Sequence, residues 1–365
     1  MNILFTSDLS GMGGGETSLV NLSAVLKKDN NISVLCNTNG RLNDILRSNG
    51  IQVYELNYRD KKKLIKNLLF IRKLAKNKNI QIIHSNDPLT SVIMHFAVIG
   101  LKVRTFWTCH GQWYDFKGLK KILIKKSNFH IFCVSTKVKE SLDRMGFENT
   151  SVSYLGIPLE KYENAHPTNL RNELDIPAKN TLMACIGRFQ PIKGQLKLVE
   201  ALNSLIKEGA NVTCLLVGGC VFGAKEDEDY YNRVKKYIHD NSLDKNIILL
   251  GERQDIPSIL KEIDCLVIPS DNESFGMIAV EALAAGTPVL STPNDGVSEI
   301  LDYDDRFIAD TNDAKGLNVL LKNGLEFIDM KKLFNNHFNK ICNKFDIEAI
   351  AKIYKREFEI KDENL

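Results

Sequence analysis

Short apolar runs recur along the whole chain, separated by longer stretches in which apolar residues return every three or four positions. In the first 165 residues the runs Asn2–Thr6, Ile32–Cys36, Gln81–His84, Arg104–Cys109, Phe129–Val134 and Val152–Leu155 read as strands. Between them Glu16–Lys28, Lys61–Lys78 and Thr136–Met145 carry the helical period. The pattern resumes with Leu182–Ile186, Val212–Val217, Ile247–Leu250, Cys265–Ile268 and Val289–Ser291 as strands. Strands that alternate with helices predict parallel sheets with helices on both faces, so the fold class is α/β. The pattern breaks between Gly156-Ile157-Pro158 and Pro177, a stretch rich in Pro, Asn and charge. Two doubly wound domains facing a central cleft are expected, over 1–165 and 166–345. The closing segment 346–365 holds a helix over Asp346–Phe358, with apolar spacing at Ile347, Ile350, Ala351 and Tyr354. It is expected to pack back toward the N-terminal domain.

Composition narrows the class without changing it. Apolar content of 44% and charged content of 25% are those of a soluble globular protein. No apolar run approaches the roughly 20 residues needed to span a bilayer. Met1–Thr6 lacks a basic leader and reads as a first strand rather than a signal peptide. The eight cysteines (36, 109, 133, 185, 214, 220, 265 and 342) form no C-x-x-C pair and mostly sit in apolar runs. They read as buried free thiols in a reducing cytoplasm.

Charge is unevenly placed. Through Ala165, 24 Lys and Arg stand against 13 Asp and Glu, a balance of +11, whereas the remainder carries −8. The densest basic segments, Arg59–Lys73 and Lys117–Lys126, interleave Lys with Leu, Ile or Phe at roughly helical spacing. Each suits either an ordinary half-solvated helix or a helix lying on anionic lipid. Nucleic acid fits poorly, because aromatic stacking residues are not interleaved with the basic ones.

Candidate chemistry gathers at strand ends. Pro269–Glu281 runs from the strand Cys265–Ile268 through Glu273, Ser274, Phe275 and Gly276 into a helix over Met277–Ala285, closed by Gly286. Backbone N–H groups at that helix start suit a phosphate. Glu273 on the loop and Glu281 on the helix can hold two hydroxyl-bearing parts of one ligand. Gly187–Gly194 follows another strand and carries Arg188 and Lys193, two cations able to grip phosphate. The turn Ser7–Thr17 is Gly-rich, but Glu16 occupies the third glycine position of a dinucleotide fingerprint, so an NAD site is not indicated. His110 follows the strand Arg104–Cys109 and precedes Gly111, the position of a cleft residue. Asp227-Glu228-Asp229 has a D-x-D look but opens an acidic helix start, where acids complement the helix dipole. No metal site is assigned.

Taken as a set, these motifs resemble the retaining glycosyltransferases of family 4, the glycosyl transferases group 1. The resemblance spans nearly the whole chain. It is carried by Gly13-Gly14-Gly15-Glu16, Cys109-His110-Gly111, Gly187-Arg188 with Lys193-Gly194, and Glu273-Ser274-Phe275-Gly276 with Glu281. Gly286-Thr287-Pro288-Val289 and Gly296-Val297-Ser298-Glu299 follow in order. The resemblance implies the GT-B fold, with two Rossmann-like domains, the first for the acceptor and the second for a nucleotide-sugar. It implies that Gly14 and Gly15 approach the donor phosphate while Arg188 and Lys193 neutralise the diphosphate. Glu273 would hold the sugar hydroxyls, and His110 would contact the sugar near its C6. The Ser274, Phe275, Gly276 and Met277 segment would lie by the phosphates, and Glu281 would bind the ribose. Catalytic roles thus fall to Glu273, His110, Arg188 and Lys193. Transfer in this family retains anomeric configuration, requires no metal and uses no cofactor; the donor, a substrate, is expected to be a UDP-sugar. The basic front half then suggests a lipid-diphosphate-linked oligosaccharide acceptor, as in O-antigen or capsule assembly in bacteria. It also suggests a protein peripheral to the inner face of the cytoplasmic membrane. A UDP-sugar 2-epimerase of the same architecture and a non-catalytic nucleotide-sugar-binding protein remain as alternatives.

Overall fold

A computed structural model describes residues 1–9, 11–58, 60–111, 118–126, 129–220, 225–326 and 343–360. The chain divides into two compact units, Met1–Pro158 with Lys344–Leu365, and Leu159–Asn343. The division therefore falls earlier than the 165/166 break, because Leu159 and Tyr162 of the helix Leu159–Glu163 are buried with the second unit.

The first unit contains β1 (Asn2–Ser7), β2 (Asn31–Cys36), β3 (Gln52–Glu55), β4 (Ile82–Ser85), β5 (Arg104–Cys109), β6 (His130–Cys133) and β7 (Thr150–Val152). They form one parallel sheet in the order β3-β2-β1-β4-β5-β6-β7. The second unit contains β8 (Thr181–Ile186), β9 (Val212–Val217), β10 (Ile247–Gly251), β11 (Cys265–Ile268) and β12 (Val289–Ser291), parallel in the order β10-β9-β8-β11-β12. Every residue of β9 and β11 is buried, as expected of parallel strands covered on both faces.

Two expectations need correction. β3 was missed: Gln-Val-Tyr-Glu is a four-residue edge strand with one buried side chain, too short to show a period. The strand expected at Val152–Leu155 lies at Thr150–Val152 instead, where it pairs with Ile131–Cys133. The apolar residues Tyr154 and Leu155 pack in the loop that follows, Tyr154 against the Phe345 ring at 5.3 Å between centroids.

Side chains alternate across the first sheet. Ile3 and Phe5 of β1 join a core with Leu22, Val34 and Phe132, whereas Leu4 faces the opposite core with Ile71, Leu74 and Met94. The first of these cores is closed by the final helix, Ile347–Glu359, through Ile347, Ile350, Ala351, Tyr354 and Phe358. A buried polar chain pins that helix, in which the Tyr354 hydroxyl lies 2.9 Å from Thr108 Oγ1 and the latter 3.0 Å from His84 Nε2. Arg104 donates to the carbonyls of Glu357 and Phe358, a cation on the last-turn carbonyls of the helix. Six of the seven described cysteines are buried, and all seven are free thiols; Cys342 lies outside the described residues.

Candidate functional site

Each sheet reverses its strand order once, and the two strands beside that reversal send their following loops to the place where α/β proteins bind ligands. In the first sheet those strands are β1 and β4; in the second they are β8 and β11.

In the first unit the Gly-rich turn after β1 enters the helix Gly14–Leu26. Gly13 stands at its N-cap and, as glycine, brings no capping side chain of its own. Gly14 is exposed and Gly15 half-buried. A Cβ on Gly15 would meet Asn86 Nδ2 and the His110 ring at 3.4 Å, so the helix start lies against both. His110, half-buried just after β5, holds Asn86 Oδ1 2.8 Å from its Nε2. Burial lowers the His110 pKa to about 4, so the ring is neutral at pH 7. With the amide oxygen facing Nε2, that nitrogen carries the proton and Nδ1 keeps its lone pair. Beneath them Asp87 caps the helix Pro88–Val98, accepting from Thr90 N, and also accepts from Asp8 N at 2.9 Å.

In the second unit the loops after β8 and β11 are locked together. Gly194 has φ +69°, and a Cβ there would lie 2.0 Å from the Pro269 carbonyl oxygen. Asp271 N donates to Ile192 O at 2.8 Å. This contact brings Lys193 Nζ within 2.6 Å of Glu273 Oε1, which also accepts from Ser270 Oγ at 2.9 Å. Glu273 is 14% and Lys193 26% exposed at the side chain. Lys193 is thus already paired with the loop carboxylate. Arg188 is exposed beyond the end of β8 and pairs with no acid among the described residues.

The loop backbone is fixed from behind. Gly296 N donates to Glu273 O at 2.8 Å, and a Cβ on Gly296 would lie 2.5 Å from Phe275 N. Phe275 is buried, and the Ser274 hydroxyl is buried with no hydrogen-bond partner among the described residues. Gly276, at φ +92°, turns the chain into the helix Met277–Ala285 and, as its N-cap, brings no capping side chain. Met277 is half-buried at the first position. Gly286, also left-handed, ends the helix, with Thr287 N bonded to Ala282 O.

Glu281 is no solvated surface acid. Burial raises its pKa to about 7, against a hydrogen bond from Tyr162 and the charge of Lys161, which act to lower it. The helix Leu159–Glu163 carries both of those residues and packs on the helix bearing Glu281. Asp227, from the D-x-D-like run, is buried and accepts from Gln190 Nε2 at 3.1 Å, which ties the loop after β8 to the helix Lys225–Asp240.

The structure therefore brings Gly15 to His110 in one unit, and Lys193 to Glu273 and the Gly276 helix start in the other. Asn86, Tyr162 and Ser270 were missed in the sequence. The cap Asp87 followed by Pro88 marks a helix start just after β4 and could have pointed to Asn86. Ser270 is one of many loop serines, and nothing local distinguishes Tyr162.

Comparison with known proteins bears on both units. The glycosyltransferase family 4 model matches residues 12–161, and the glycosyl transferases group 1 model matches 167–328. A UDP-Gal:alpha-D-GlcNAc-diphosphoundecaprenol alpha-1,3-galactosyltransferase of Escherichia coli is 27% identical over 323 residues, 82% of this chain and 78% of that protein. N-acetyl-alpha-D-glucosaminyl L-malate synthase of Bacillus anthracis is 23% identical over 67% of this chain, which spans 65% of that enzyme's length. Among solved structures, Anabaena HepE in complex with UDP superposes with a TM-score of 0.85 at 20% identity, over 98% of this chain and 99% of that one. WaaG, a glycosyltransferase involved in lipopolysaccharide biosynthesis, does so with a TM-score of 0.71 at 13% identity, over 98% and 100%.

Proposed function

Because the chain belongs to the glycosyltransferases of group 1 and family 4 and has the GT-B fold, we propose that it moves a hexose or N-acetylhexosamine from a UDP-sugar to a hydroxyl of a lipid-linked glycan. Transfer retains anomeric configuration and needs no metal ion. The observation that carries this reading is the Lys193–Glu273–Ser270 cluster set before the helix start at Gly276. It supplies a carboxylate for sugar hydroxyls, a cation for phosphate and the backbone N–H groups of a helix start, brought together by the neighbouring loops after β8 and β11.

In this mechanism the diphosphate lies against the N–H groups of Phe275, Gly276 and Met277, with the buried Ser274 hydroxyl free to donate. Arg188 and Lys193 carry the charge that develops on the departing UDP, the electrostatic work a metal would otherwise perform. Glu273 accepts from the sugar hydroxyls. Neutral His110, held by Asn86, offers Nδ1 to the hydroxyl at the sugar's C6, and Gly14 and Gly15 allow close approach of the phosphate. Glu281, steadied by Tyr162, accepts from the ribose. The acceptor hydroxyl forms its bond to C1 on the face from which UDP departs. The C1–O bond to the diphosphate breaks, and the hydroxyl proton passes to the diphosphate oxygen.

A UDP-sugar donor and a lipid-diphosphate-linked acceptor find support in the E. coli galactosyltransferase, whose name states both. Titration calorimetry with UDP and GDP, each with and without magnesium, tests the donor half. UDP binding that ignores magnesium is expected, and binding of neither nucleotide would remove the site. Glu273→Ala should abolish transfer to an undecaprenyl-diphosphate-linked sugar while leaving the fold intact. Full activity in that variant would overturn the assignment.

A further inference from the structure

The first unit carries an outward surface that transfer chemistry does not use. Between Lys61 and Asn86 the chain holds eight Lys and Arg and no Asp or Glu. The helix Leu64–Asn77 within this stretch buries Asn67, Ile71, Leu74 and Ala75. Its opposite face is not purely polar, as an ordinary surface helix would be. Ile65 is 75% and Leu69 64% exposed, one turn apart, with Leu64 and Phe70 also exposed. On a helical projection Lys62, Lys66 and Lys73 lie along one edge of that pair and Lys76 lies in line with it, about two turns beyond Leu69; all four are exposed, and none pairs with an acid among the described residues.

The neighbouring helix extends the apolar surface. Pro88–Val98 buries Ile93, Met94, Ala97 and Val98 in the core it shares with Ile71 and Leu74. It leaves Phe96 and, just beyond its end, Ile99 exposed. Arg72 joins the two helices by donating to Ala97 O at 3.2 Å and Ile99 O at 2.7 Å. Its guanidinium satisfies carbonyls at that helix end, leaving the lysines as the free charges. The second basic segment begins at Lys117, outside the described residues; in its helix Gly118–Lys126, Ile124 is buried and Ile122 exposed.

From this juxtaposition we infer that the face formed by Ile65, Leu69, Phe96 and Ile99, bordered by Lys62, Lys66, Lys73 and Lys76, is the surface by which the protein docks on an anionic lipid bilayer. Apolar side chains enter the acyl boundary while lysines meet lipid phosphates, and each lysine keeps its charge in the headgroup layer by extending its stem. No helix among the described residues is long and apolar enough to cross a membrane, so attachment here is interfacial. The charge sign selects the occupant, because lysines unpaired with any acid among the described residues, set along one edge of an apolar stripe and in line with it, complement the phosphates of an anionic lipid surface. The inference adds a partner to the proposed transferase but does not depend on its chemistry.

The test is co-sedimentation of the full chain with vesicles of phosphatidylcholine alone or mixed with phosphatidylglycerol, over a range of salt. Binding to the mixed vesicles, weak on phosphatidylcholine and reduced by salt, is expected. Each Lys→Gln change at 62, 66, 73 or 76 should lower partitioning by about fivefold, and the pair I65D and L69D should abolish it. UDP binding and the thermal midpoint of the variants report on the fold and the site, so failure of docking and failure of the transferase reading are separable. No binding to phosphatidylglycerol vesicles would overturn the inference, as would undiminished binding of the Asp pair. A dimer in sedimentation velocity that dissociates in the Asp pair would also overturn it, by giving the face to a second copy.

Discussion

Glu281 offers a direct check on the donor site, because its environment makes nucleotide binding depend on pH. With a pKa of about 7 in the free protein, the carboxyl is protonated below that pH and ionised above it. Only the ionised form can accept from both ribose hydroxyls, so binding below pH 7 must first release a proton. The apparent Kd then rises by a factor of one plus ten to the power of 7 minus pH. That makes a UDP-sugar bind about tenfold more weakly at pH 6 than at pH 8, close to 1.4 kcal/mol. UDP-glucose is the right probe, since its diphosphate diester does not titrate in this range. Calorimetry in two buffers of different ionisation enthalpy would count the proton directly. Glu281→Gln should flatten the profile. Tyr162→Phe removes a hydrogen bond that favours the ionised carboxyl, so it should move the midpoint above 7 and weaken binding at neutral pH. A flat wild-type profile, or a slope that survives in Glu281→Gln, would sink the ribose assignment.

Three further outcomes follow from the same geometry. Gly194→Ala combines a left-handed φ of +69° with a Cβ placed 2.0 Å from the Pro269 carbonyl, so denaturant unfolding should show a loss of about 2 kcal/mol or more. An unchanged midpoint would mean that the two loops are not pressed together. Lys193→Met leaves Glu273 with Ser270 as its remaining partner in the cluster and removes a cation from the leaving diphosphate; kcat should fall by about 100-fold or more in a transfer assay. A rise in KM with kcat unchanged would limit Lys193 to ground-state binding. His84, fully enclosed, has its pKa pushed down to about 3 from 6.5. The unfolded chain therefore takes up the proton first as pH falls below 6.5. Stability of the first unit should drop by about 2 kcal/mol between pH 7 and pH 5 from this residue alone. Equal denaturation midpoints at the two pH values would contradict that burial.

Much of this molecule could be read from local pattern. Runs such as Cys265–Ile268, apolar throughout, and Val212–Val217, apolar but for Thr213, look this way because parallel strands are covered on both faces, and the helices between them carry their own period. The turn glycines Gly194, Gly276 and Gly286 are also legible, since left-handed backbone leaves a mark in residue type. Those signals located the loops that bear Arg188, Lys193 and Glu273, and with them the family. They could not show that Lys193 and Glu273 form a pair, because 80 residues separate partners that meet only when β8 and β11 become neighbours. Nor could they show Asn86 against His110, or Tyr162 on Glu281, since a carboxyl's protonation depends on what encloses it and not on its own stretch of chain. The same holds for the outward stripe of Ile65 and Leu69. Its residues satisfy a helical period equally well facing in or out, and only packing of Ile71 and Leu74 into the core turned them toward solvent. The sequence by itself determined most of the elements, the parallel sense of their strands and the chemistry each loop carries. The tertiary structure decided which of those groups touch, because contacts between distant segments arise from strand order and packing.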